Sequence, residues 1–122
     1  NPVAIASALK TIELLEGGLV ENSKNVGAYL EAGLNNLKDK YDCIGDVRGL
    51  GMMLGVEFVT DKASNTPAPE LRDKIEMECF QRGLIILGCG SNSIRWSPPL
   101  ILSKENVDVA LEIFDAAIAA SI

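Results

Sequence analysis

Residues 82–100 read RGLIILGCGSNSIRWSPPL, and their internal order sets the fold class. Residues 84–87 form a short continuous apolar run, residues 93–97 a second strand-like segment, and the glycine-rich GCGSN between them predicts a hairpin turn. Pro98-Pro99 then ends the pairing, because proline has no backbone N–H to give to a ladder. Arg95 stands on the second strand, between the apolar run and this rigid Ser-Pro-Pro turn. A guanidinium is a planar fork of donors that meets both oxygens of a carboxylate, and it keeps its charge near neutral pH. Spacing alone leaves three assignments open: Arg95 grips the carboxylate of a ligand, lies as a surface strand residue, or pairs with a carboxylate of its own fold such as Glu57.

Upstream, short strand-like segments at residues 44–48 and 52–60 flank Gly49-Leu50-Gly51, where glycine allows a tight turn or bulge. Leu54, Val56 and Phe58 alternate with Met53, Gly55 and Glu57, as in a sheet with one face strongly buried. Gly49 and Gly51 do not make a phosphate cradle, since a third glycine and a strand-to-helix context are missing. Arg48 beside them is read as structural, the alternative being that it ties this hairpin to another part of a longer chain. Residues 61–69, DKASNTPAP, are polar and contain proline, and predict an exposed loop.

Helical periodicity fills the rest. Residues 2–16 follow an Asn-Pro cap and carry apolar side chains around more than one stripe, so this helix wants neighbours on several sides. Gly17-Gly18 is expected to close it. A second helix over 19–40 places Val26, Leu30, Leu34 and Leu37 on one face; a third over 69–82 does so with Leu71, Ile75 and Cys79. Ser103 caps a last helix bearing Val107, Leu111, Phe114 and Ile118. The order helix, helix, two strands, helix, two strands, helix predicts an α+β fold: a two-layer sandwich with a small, mainly antiparallel sheet of about four strands and helices on one face. Residues 1–122 suit a single small domain.

Composition excludes several functions. Eleven basic against seventeen acidic residues give a net charge of −6, which opposes attraction to nucleic acid. No apolar run approaches the roughly 20 residues needed to span a bilayer, so no membrane partner is expected. Cys43, Cys79 and Cys89 are odd in number and contain no CxxC pair, which predicts neither a disulfide framework nor a metal site and fits a reducing, cytoplasmic compartment. The chain has no histidine, so a local Ser-His or Cys-His nucleophile is ruled out and no catalytic residue is assigned. Cys79 is expected in the core. Cys89 lies nearer Arg95 but has no base to activate it.

Three segments, NPVAIASALKTIE at 1–13, GDVRGLGMMLGVEF at 45–58 and the IRWSPP context of Arg95, together resemble the C-terminal small domain of class III, pyridoxal-phosphate (PLP) dependent aminotransferases of fold type I, the group containing 4-aminobutyrate, ornithine and acetylornithine aminotransferases. The resemblance runs over essentially the whole chain. It implies that Arg95 is the substrate-binding residue, holding the carboxylate next to the reacting carbon. Lys10, Lys24, Lys38, Lys40, Lys62, Lys74 and Lys104 all fall on polar faces or in loops. The resemblance therefore places PLP, its Schiff-base lysine and its phosphate ligands in a large domain upstream; no cofactor-binding residue is assigned here, and the 122 residues alone are expected to be inactive. It further implies that residues 1–16 form a linking helix on that large domain, that the parent is a homodimer, and that the substrates are amino acids and keto acids. The implied activity is transfer of an amino group from a 4-aminobutyrate-type or other ω-amino acid to 2-oxoglutarate or another keto acid. A racemase or epimerase of the same family, and a freestanding ligand-binding or dimerisation module, are the alternatives.

Overall fold

Asn1 opens the first helix, α1 (Pro2–Leu14), by accepting hydrogen bonds on its side-chain oxygen from the Val3 and Ala4 amides. A computed structural model describes all 122 residues. The helical run does not stop at Gly17-Gly18 as the sequence predicts. It passes through a π-helical turn, Leu15–Leu19, in which Gly18 takes φ of +130°, and continues as α2 (Val20–Lys40). The glycine pair bends the helix rather than ending it. α1 touches only this turn, and none of its residues is buried.

Val26, Leu30, Leu34 and Leu37 of α2 are buried, as their spacing predicts. The chain then enters β1 (Ile44–Leu50) and turns into β2 (Met53–Asp61). β1 runs two residues past its expected end at Arg48, and Met52, expected in the second strand, lies in the turn. α2 fixes that turn by close approach: a Cβ built on Gly27 would lie 2.2 Å from the Gly51 carbonyl carbon, and Gly51 itself has φ of +56°. The Ser23 hydroxyl accepts from the Met52 amide at 3.3 Å across the same contact.

The expected loop after β2 contains a two-residue strand, β3 (Thr66–Pro67), paired with the end of β2. α3 (Pro69–Gln81) follows, with Ile75 and Cys79 fully buried. The last hairpin is β4 (Leu87–Cys89) and β5 (Ser93–Trp96). Here the prediction is corrected: residues 84–86 are not in the sheet, and β4 instead takes in Gly88 and Cys89, shortening the loop. Ile86 turns into the core, so the apolar run serves packing rather than pairing. α4 (Lys104–Ser121) starts at Ser103, whose hydroxyl accepts from the Asn106 amide.

The sheet order is β1-β2-β5-β4, antiparallel throughout, with β3 beside β2. Leu54, Val56 and Phe58 of β2, with Ile94 and Trp96 of β5, face the helices. Phe114 of α4 is the centre of this layer, meeting the rings of Phe58 and Trp96 edge-on at 6.4 and 5.2 Å. All the packed helices lie on that one face, giving the α+β sandwich the sequence predicts. The opposite face of the sheet is open, and it carries Arg95.

Candidate functional site

Pairing register decides what stands beside Arg95. Arg48 lies opposite Gly55, Gly55 opposite Arg95, and Arg95 opposite Leu87, so these four residues form one row across the open face. The next row on that face is Asp46, Glu57, Ser93 and Cys89. Gly55 leaves the space between the two arginines unfilled. A groove of about 670 Å³ runs along this face, lined by Arg48, Leu50, Met53, Gly55, Cys89 and Arg95. Its apolar wall is made by Leu50 and Met53, which are 88% and 65% exposed.

The two arginines differ in their partners. Arg48 donates to Glu57 Oε2 at 2.7 Å and to Asp46 Oδ2 at 2.8 Å. These partners, Glu57 first, raise the Arg48 pKa further, and the Arg48 hydrogen bond is the main reason the Asp46 carboxyl is held below its ordinary range. Lys38 reaches Asp46 Oδ1 from α2 at 3.2 Å. Glu57 is held at its other oxygen by Asn92, which donates to Oε1 at 3.4 Å and to the Phe58 carbonyl at 2.6 Å. The Arg95 side chain is exposed, and its guanidinium makes no hydrogen bond or ion pair within the chain. Of the three assignments open from sequence, pairing with Glu57 is removed: Glu57 belongs to Arg48, which thereby takes the structural role predicted for it.

On the helix side of the same strand, a cavity of about 240 Å³ lies behind Arg95, lined by Leu30, Ile86, Trp96 and Val107. The Trp96 indole nitrogen is buried without a hydrogen-bond partner, its ring set against Phe114. Cys89 is exposed in the open groove, whereas Cys79 lies in the core, where burial pushes its thiol up to about 12. No lysine enters the groove. Lys38, Lys40, Lys62 and Lys10 pair with Asp46, Asp115, Asp42 and Glu13; Lys74 donates to the Ser121 carbonyl, and Lys104 lies over the Tyr29 ring. What the arrangement supplies is an unpaired guanidinium at the rim of a partly apolar groove, suited to a small carboxylate.

The sequence profile of the Aminotransferase class-III family matches residues 1–118. The chain belongs to this family. Its members are PLP-dependent, and the groove described above is therefore part of a class III protein. Over 121 residues the chain is 43% identical to an alanine/serine racemase of Pyrococcus horikoshii, covering 97% of this chain and 25% of that protein. It is 38% identical over 123 residues to the human mitochondrial alanine–glyoxylate aminotransferase 2, covering 97% of this chain and 24% of the relative. The chain thus spans about a quarter of the length of these relatives. Among solved structures, an aminotransferase from Bacillus anthracis superposes with a TM-score of 0.93 at 30% identity, over 98% of this chain and 28% of that one. A PLP-bound amine transaminase from an uncultivated Pseudomonas species does so with a TM-score of 0.92 at 31% identity, over 99% and 28%.

Proposed function

We propose that these residues are the substrate-orienting small, C-terminal domain of a longer class III enzyme in which Arg95 binds the substrate carboxylate. The observation that carries this is the unpaired Arg95 guanidinium on the open sheet face, beside the gap left by Gly55. PLP, held by a large domain outside these residues, supplies the electron sink that makes the carbon bearing the amino group acidic when bound. Arg95 fixes the carboxylate, and so the direction of the bond to be broken; positioning of this kind contributes several kcal/mol to a barrier. The reaction we favour is transfer of an amino group from a 4-aminobutyrate-type or other ω-amino acid to 2-oxoglutarate or another keto acid.

The wider assembly follows the same reading. Val3, Ile5 and Leu9 of α1 are 77%, 60% and 63% exposed, a surface suited to cover by the large domain of the same chain. The parent is a homodimer whose sites form near the subunit boundary. Three free thiols suit a cytoplasmic location.

Replacing Arg95 with Gln in the full-length enzyme tests the reading. Loss of a charge-assisted contact of ~2–4 kcal/mol lowers kcat/KM for carboxylate substrates by roughly 30- to 1000-fold. An unchanged kcat/KM ends the clamp assignment. The similarity to a racemase favours a second reading, in which the proton returns to the same carbon and no amino group is transferred. Incubating the enzyme with one amino-acid enantiomer and no keto acid separates the two: racemisation supports the second reading, and amino transfer on adding a keto acid supports the first.

A further inference from the structure

We propose that Arg48 is a positioning residue that keeps Glu57 off Arg95, leaving the Arg95 guanidinium free for a substrate carboxylate; this rests on the clamp reading of Arg95. The open face and its border carry three cations, Lys38, Arg48 and Arg95, and two anions, Asp46 and Glu57. Asp46 is shared by Lys38 and Arg48, Glu57 pairs with Arg48, and Arg95 is left over. Removing Arg48 affects the two anions differently. Asp46 keeps Lys38 at 3.2 Å, but Glu57 loses its only cation.

Arg95 is then the cation closest by register. Glu57 lies opposite Ser93, and Arg95 is two residues further along the same strand on the same face. Such diagonal neighbours have backbones roughly 7–8 Å apart, within reach of Glu and Arg side chains. Gly55 puts no side chain between them; a Cβ there would meet only the Arg48 carbonyl, at 3.8 Å. The remaining hold on Glu57 is the 3.4 Å contact from the neutral Asn92 amide, weaker than an ion pair. A freed Glu57 therefore swings to Arg95 and competes with substrate for the same fork of donors.

The test is steady-state kinetics of the full-length, PLP-loaded enzyme with Arg48→Gln, Glu57→Gln, both together, and Arg95→Gln. An internal ion pair at a surface site masks Arg95 by about fivefold. Arg48→Gln is expected to raise KM for both the amino-acid and keto-acid substrates by about that factor, with kcat held within about twofold, because breaking the competing ion pair weakens carboxylate binding equally in the ground and transition states. A primary amine donor without a carboxylate should show no change in KM. Adding Glu57→Gln to Arg48→Gln should restore the carboxylate KM, which a loss of packing or of fold would not do.

An Arg48→Gln enzyme with unchanged KM overturns the proposal. So does a raised KM that Glu57→Gln fails to rescue, since Arg48 would then touch substrate itself. If Arg48→Gln does not fold, the double variant decides: a KM near that of the parent supports the proposal, and a fivefold rise overturns it. Arg95→Gln separates the two levels. If it leaves the carboxylate KM unchanged, the clamp reading fails; if it raises KM and Arg48→Gln does not, only the role of Arg48 fails.

Discussion

Gly27→Ala should destabilise the protein, although alanine is the better helix former. In an exposed helix this exchange gains ~1 kcal/mol. At Gly27 the new methyl would sit 2.2 Å from the Gly51 carbonyl carbon, 2.3 Å from its oxygen and 2.8 Å from its Cα. Ordinary carbon contacts begin near 3.5 Å, so α2 and the β1–β2 turn must separate by roughly 1.3 Å. Both sides of the contact are backbone, so no side chain can rotate away. Overpacking typically costs ~1–3 kcal/mol, and a backbone clash belongs at the upper end, which leaves a net loss of about 2 kcal/mol. Urea unfolding followed by far-UV circular dichroism reads this as a lower midpoint at unchanged slope. Because Leu50 and Met53 flank the displaced turn and line the groove, KM for carboxylate substrates should rise in the same variant. A Gly27→Ala protein as stable as its parent would refute the close-approach argument, whatever its kinetics.

Phe114→Ala removes a fully buried ring in edge-on contact with Phe58 and Trp96 and should cost ~3–5 kcal/mol by the same assay; a loss under ~1.5 kcal/mol would mean that the layer collapses around the vacancy. At low pH, Asp115 should weaken the fold. Its carboxyl is held below the ordinary 3.8 by hydrogen bonds from Lys40 and then Tyr41, so the stability it contributes is present above that value and is lost as pH falls through the folded-state value. Asp115→Asn should flatten the stability profile below about pH 4, and an unaltered profile would count against the Lys40–Asp115–Tyr41 cluster as a source of acid sensitivity.

Helical faces were legible because their spacing is local. The stripe Val26-Leu30-Leu34-Leu37 is buried as read, Val107, Phe114 and Ile118 of the last helix are buried with Leu111 half-buried beside them, and the alternation Leu54-Val56-Phe58 identifies the covered face of β2. Residues 84–86 misled because an apolar run at the end of a helix reads the same whether it pairs or packs. Here Ile86 packs, and pairing starts at Leu87, where β5 offers backbone partners. Gly17-Gly18 misled differently: glycine permits a helix to end but equally permits a bend, and only the helix that follows distinguishes the two. Arg95 and its Pro-Pro context could be picked out from the sequence. The partner of Glu57 could not, because Arg48, Glu57 and Arg95 come together through strand register, and register between distant segments leaves no mark in either one.

The sheet separates its two tasks by the thickness of a single strand. Neighbouring residues in β5 answer to different demands: Ile94 to the core, Trp96 to the Phe114 ring of α4, and Arg95 to whatever enters from the other side. A substitution at Leu50, Met53 or Cys89 can reshape the wall of the groove without touching Phe114, and distant, unshared sites of this kind combine nearly additively. A scaffold built this way lets the side chains of one face change while its melting behaviour stays governed by the other.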